Sequence, residues 1–131
     1  MGARTNFHFK TDTGVITLYS HWGGDTKTID LAKALDAAMP RILMGDTSYA
    51  LRIAISQLIG DSWDSETGYG IFVGPEGGEE QYEPITVNFI NNTVEQPDGT
   101  HSITDYINYH LPSGVHTVEA SSMAGVGVIS R

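Results

Sequence analysis

The sequence predicts an α+β fold: a small, mostly antiparallel sheet in the order ββααβββα, with two main helices packed on one face. Three observations carry this prediction. Apolar residues alternate at period two over residues 6–21 and again from Ile85 onward. Two central stretches, 26–39 and 46–59, instead repeat apolar residues at helical spacing. Short turn sequences join neighbouring strand candidates, which favours hairpins over parallel crossovers.

The first hairpin places Phe7 and Phe9 opposite Ile16 and Leu18, around the turn Asp12-Thr13-Gly14. A two-residue loop pairs odd positions with even ones and sets these four side chains on one face. His8, Lys10, Thr17, Tyr19 and His21 then occupy the opposite face, expected to be solvated. The first helix takes Asp25 or Thr26 as its cap and ends at Pro40, because proline lacks the backbone donor. Leu31, Ala32, Leu35, Ala38 and Met39 form its apolar stripe. The second runs from an Asp46 cap to Gly60, with Leu51, Ala54, Ile55 and Leu58 inward.

A short strand over 69–73 follows the polar loop 61–66, and an acidic, glycine-rich loop extends from Gly74 to Glu83. Ile85, Val87 and Phe89 alternate ahead of a tight turn at Asn91-Asn92, where asparagine tolerates positive φ. Thr93-Val94-Glu95 returns, and Pro97-Asp98-Gly99 turns the chain again. Ser102 and Asp105 resemble a capping box for a last helix that carries Ile103, Tyr106, Ile107 and His110 and stops at Pro112. A parallel unit from residue 21 through the helix pair to residue 69 is also compatible with this order. Residues 1–112 thus form one compact domain. Residues 113–131 read as a largely mobile tail with a candidate strand at 115–118.

Composition narrows the setting. Sixteen acidic residues against seven basic ones give a formal charge of −9. That balance disfavours direct nucleic-acid binding and anionic membrane surfaces; it suits a basic partner or a mimic of nucleic acid, and its commonest role is to keep a small protein soluble. There is no cysteine, hence no disulfide or thiolate chemistry, and this suits a reducing cytoplasm. The N-terminal residues lack the apolar core of a signal peptide, and no apolar run reaches membrane-spanning length.

Candidate chemistry concentrates at Tyr19-Ser20-His21-Trp22-Gly23-Gly24, where a strand exits toward a helix. Trp22 and His21 frame a contact surface, and the N–H groups of Gly23 and Gly24 are potential anion donors, opposed by Asp25. The structural alternative is that Trp22 packs on the sheet edge while the glycines let the chain turn. His8 and His21 offer an acid–base pair, with Tyr19 beside them. A metal site is not expected, because no third ligand is supplied locally. Asp61, Asp64 and Glu66 around Trp63 lack the spacing of a calcium loop. Trp63, Tyr69 and Tyr82 add aromatics of the kind interfaces favour. No nucleophile elbow, phosphate loop, zinc-protease helix or dinucleotide fingerprint occurs, and no cofactor is expected.

The segments Phe7-His8-Phe9-Lys10-Thr11 and Gly14-Val15-Ile16-Thr17-Leu18-Tyr19-Ser20-His21-Trp22-Gly23-Gly24 resemble the start of a family of small proteins from actinobacterial phages and their hosts. The resemblance continues through Ser48-Tyr49-Ala50-Leu51-Arg52-Ile53 and Glu66-Thr67-Gly68-Tyr69-Gly70-Ile71, and covers about residues 7–110. It implies a setting and no reaction: a phage accessory protein in the cytoplasm of its bacterial host, contacting a host or phage factor. The expected activity is non-enzymatic binding through the hairpin exit and the acidic loop, with His8, Tyr19, His21, Trp22, Gly23, Gly24, Trp63 and Tyr82 as contact residues. A small metabolite is a further candidate ligand, and self-association is open. A histidine-dependent hydrolase or phosphodiesterase, or an acidic nucleic-acid mimic, are the alternatives.

Overall fold

The first hairpin fixes the frame. In the computed structural model, which describes residues 2–112, strands β1 (Thr5–Thr11) and β2 (Gly14–Ser20) pair antiparallel through a two-residue loop, with Thr11 opposite Gly14. Phe7 faces Leu18 and Phe9 faces Ile16, so all four side chains share one face as the alternation requires. A 3-10 turn over Gly24–Thr26 leads into α1 (Lys27–Leu43), and α2 (Thr47–Ile59) returns against it. A second 3-10 turn, Gly60–Asp64, precedes β3 (Tyr69–Val73). Then come β4 (Ile85–Asn88), β5 (Thr93–Gln96), β6 (Gly99–Ser102) and α3 (Ile103–His110).

The sheet order is β3-β2-β1-β4-β5-β6. Every pair is antiparallel except β1 with β4, so a mixed, mostly antiparallel sheet results. The parallel step does not fall where the alternative placed it. Residue 69 follows the helix pair into an antiparallel partner of β2, and the chain crosses back to pair β4 parallel with β1.

The core lies between the sheet and the helices. Phe7, Phe9, Leu18, Ile85, Val87 and Val94 meet Leu31, Leu35 and Met39 of α1, and α3 adds Ile103, Tyr106 and Ile107. Small residues let the two long helices approach: Ala34 and Ala38 are buried on α1, Ala50 and Ala54 on α2. Leu51 and Leu58, expected inward, are only partly buried because Ala50, Ala54 and Ile59 take the inner positions. No helix among the described residues is long and apolar enough to cross a membrane.

Four local expectations are corrected. Pro40 lies inside α1, which continues to Leu43. At the last turn a proline removes only one hydrogen bond to the turn below, and the end is closed beyond it by Met44, Gly45 and Asp46 N–H groups on the Arg41 and Ile42 carbonyls. Neither Thr26 nor Asp46 caps its helix through its side chain. Thr26 donates to Asp30 instead, and the Asp46 carboxylate pairs with Arg41 at 2.9 Å. The turn after β4 spans four residues, because Asn88 accepts from the N–H groups of Ile90 and Asn91; Asn92 does carry positive φ. Finally, β6 is an additional strand, so the full order is ββααββββα. The Ser102 cap forms as expected, its hydroxyl accepting from Asp105 N–H at 3.0 Å. The proposed tail at 113–131, with its strand at 115–118, lies outside the described residues.

Candidate functional site: the hairpin exit and its strap

The acidic loop after β3 keeps most of its side chains exposed yet is pinned to the sheet. It crosses the supposedly open face of the first hairpin as a strap. Asn6, only 2% exposed, holds it at both ends of its amide: Nδ2 donates to the Gly78 carbonyl at 2.9 Å and to the Glu80 carboxylate, while Oδ1 accepts from Gly78 N–H at 3.1 Å. The approach is so close that a Cβ at Gly77 would meet Asn6 and Thr17, and one at Gly78 would meet the Tyr19 ring. Glycine is required there for lack of room, not for turn geometry. Further along, Gln81 and Tyr82 N–H groups bond the Arg4 carbonyl, and the Lys27 ammonium reaches the Glu83 carbonyl.

His8 lies under this strap. Thr17 donates its single hydroxyl hydrogen to the Gly74 carbonyl at 2.8 Å, so His8 Nδ1, 2.7 Å from Thr17 Oγ1, must be the donor in their bond. Burial lowers the His8 pKa, and the charge of Glu80 opposes that shift only in part. A neutral imidazole with its hydrogen on Nδ1 leaves Nε2 as an acceptor.

The hairpin exit adjoins the strap through the Tyr19 ring but has its own hydrogen bonds. Tyr19 OH and His21 Nδ1 are 2.8 Å apart, and the His21 ring meets Trp22 edge-on at 4.7 Å between centroids. His21 N–H bonds the Gly68 carbonyl at 2.8 Å, and its own carbonyl accepts from Ala3 N–H. Trp22 lies with its ring against Gly68, whose φ of +103° only glycine adopts without strain, yet the indole is 60% exposed. Tyr19, His21 and Trp22 therefore form one supported aromatic surface.

The other candidates divide. Gly24 cannot offer its N–H to an anion, since Ala3 accepts it at 2.8 Å. Gly23 sits against the Ser20 side chain and serves the turn. Tyr82 packs on Gly24 and donates to Asp25, which raises its phenol pKa first through that hydrogen bond and then through the Asp25 charge. It is the anchor of the strap. Trp63 is exposed on the 3-10 turn after α2, and no ring contact among the described residues joins it to the others. His8 and His21 stand apart on the hairpin. His8 is opposite Thr17, four residues along the strand from His21, about 13 Å at strand rise.

A second concavity escaped the sequence. A cleft of about 580 Å³ opens between Thr28 at the start of α1, the β5–β6 turn and α3, with His101, Asp105, Tyr106 and His110 on its walls. Burial, and then the nearby His101, lower the His110 pKa, and Tyr106 donates to the Thr28 carbonyl at 2.9 Å. Only β6 carries His101 to this place, and its residues Gly-Thr-His-Ser give no strand signal. No group of three or more His, Asp or Glu side chains among the described residues is arranged to hold a metal ion. In comparisons with known proteins, no family model, no curated protein and no solved structure matches this chain.

Proposed function

We propose that this is a phage accessory protein acting in the bacterial cytoplasm by non-enzymatic binding of a host or phage protein at the hairpin exit. The observation that carries this reading is Trp22, 60% exposed yet fixed against Gly68 and His21. A large apolar ring held in place before binding loses little freedom on contact, which is how aromatic anchors contribute affinity. The excess of carboxylates favours a basic partner. The His8 and His21 hydrolase has less support, because the two rings belong to different hydrogen-bonded groups. The nucleic-acid mimic has less too: the carboxylates of Asp25 and Glu80 turn to partners within the chain.

The test is capture from an actinobacterial lysate with wild type and Trp22→Ala, after both show the same melting temperature. A protein retained by wild type, and bound by the purified wild type at least about tenfold more tightly than by the variant, supports the reading. Equal retention by the two proteins removes Trp22 from the contact.

A further inference from the structure

The sheet ends on one side in a strand built to accept another. The β2–β3 ladder fixes which groups of β3 are free. Gly74 N–H bonds the Val15 carbonyl and His21 N–H bonds the Gly68 carbonyl, so residues 68, 70, 72 and 74 turn their backbone groups toward β2. Tyr69, Ile71 and Val73 then direct theirs outward, and no hydrogen bond to them occurs among the described residues. The strand reads Tyr-Gly-Ile-Phe-Val, with no charge, no proline and no bulge to discourage pairing. Val73 is 91% exposed, and Ile71 and Phe72 are exposed beside it.

The opposite edge differs: β6 carries only glycine, threonine, histidine and serine. On β3, the side chains of Ile71 and Val73 lie on the helix side, in register with Leu18 and Ile16. At the Val73 end, a cavity of about 560 Å³ is lined by Ile16, Leu51 and Val73 together with the β1–β2 turn, Asp12 included, and Thr47 and Ser48. At the other end, Gly68 precedes the strand and supports the Trp22 ring. The open edge therefore begins one residue from the glycine that supports Trp22.

Charge selects the occupant. From residue 53 to residue 112 the chain has ten Asp and Glu residues and not one Lys or Arg. Glu66 and Glu76 stand three residues before and three residues after the strand. A second copy paired antiparallel about Ile71 would bring the Glu66 end of one strand toward the Glu76 end of the other, between two chains that each carry −9. A basic partner meets no such opposition.

We propose that β3 is a strand-addition site for an extended, apolar segment of a partner protein flanked by Lys or Arg, paired to the outward groups of Tyr69, Ile71 and Val73 and bordered by Trp22. This rests on the binding reading above and gives its mode. Main-chain pairing supplies register, the cavity at Val73 takes one apolar side chain, and the flanking cations meet the acidic surroundings.

The test uses the full chain and a synthetic peptide of alternating Val and Thr with two Lys at each end, its ends blocked. A Glu-flanked copy of the peptide is the charge control. Ile71→Pro is the informative variant, because that N–H points outward and the β2 ladder does not use it. Its fold is checked by circular dichroism and melting temperature, and Ile71→Lys serves as a second edge-blocking variant if proline unfolds the chain.

The expected result is saturable binding of the Lys-flanked peptide, about tenfold or more weaker with Glu flanks and with the edge variant. Amide exchange at Tyr69, Ile71 and Val73 should slow on binding. Equal binding of both peptides, no binding of either, or binding unchanged in a folded edge variant overturns the proposal. So does a concentration-dependent dimer that the edge variant abolishes, since the occupant is then a second copy. If Trp22→Ala loses lysate capture while the edge variant keeps it, the binding reading stands and strand addition falls.

Discussion

The Tyr82 hydroxyl donates to the carboxylate of Asp25, 57 residues away in sequence, and so ties the end of the strap to the start of the first long helix. The ring of the same tyrosine lies against Gly24. Removing the hydroxyl and displacing the ring should therefore differ. Tyr82→Phe keeps the packing and should leave the melting temperature nearly unchanged, whereas Gly24→Val forces away both the ring and the Ala3 carbonyl and should lower it clearly. Amide exchange at Gly78 and Gln81 should accelerate in Gly24→Val and stay near wild type in Tyr82→Phe.

Asn6 is the inner fastener of the strap. Both ends of its buried amide are satisfied by Gly78, and Glu80 accepts from it as well. Asn6→Ala leaves the half-buried backbone groups of Gly78 without these partners and should destabilise the protein by about 2 kcal/mol in urea unfolding. An unchanged midpoint would show that the strap contributes nothing to the fold.

Stability should also depend on pH near neutrality. The folded pKa values of His8 and His110 both lie below their ordinary one, in each case chiefly because burial disfavours the charged ring. The unfolded chain then binds protons that the native state refuses. Stability is complete above the unfolded histidine value, about 6.5, and falls as the pH drops through the lower folded values. Urea midpoints at pH 7.5 and 5.5 should show this loss, and His8→Gln or His110→Gln should each flatten the profile.

Gly68 carries two demands, positive φ and contact with Trp22. Gly68→Ala should cost roughly 1–2 kcal/mol from backbone strain alone. It should also shift the indole emission, since the ring must move off a Cβ. The chain has two tryptophans, so the measurement is made in a Trp63→Phe background.

Alternation made the pairing of the first hairpin legible, because Phe7, Phe9, Ile16 and Leu18 share a face in a two-residue register; the turn itself is shorter than the Asp12-Thr13-Gly14 read for it, since Gly14 already pairs with Thr11. The cap at Ser102 was equally plain. Pro40 misled because its effect depends on where a helix would otherwise end, which packing decides. The turn at 89–92 depends on Asn88, whose side chain acts on residues ahead of it, and β6 has no apolar pattern to declare it. At the site, Tyr19, His21 and Trp22 are neighbours in sequence and were found together. The strap was not foreseen, because Asn6 meets Gly78 across 72 residues and composition alone describes that loop as acidic and glycine-rich.

The lone parallel ladder has a consequence for biogenesis. β1 pairs with β4, and both long helices and β3 lie between them in sequence. As the chain leaves the ribosome, the first hairpin and the two helices can collapse early through local contacts, but β1 keeps a bare flank until residues 85–88 arrive. Closing that distant pair is the slow, entropically opposed event in such a topology. Synthesis of the last third therefore completes the middle of the sheet, and a chain arrested before β4 leaves the unpaired backbone groups of β1 open to any extended segment nearby.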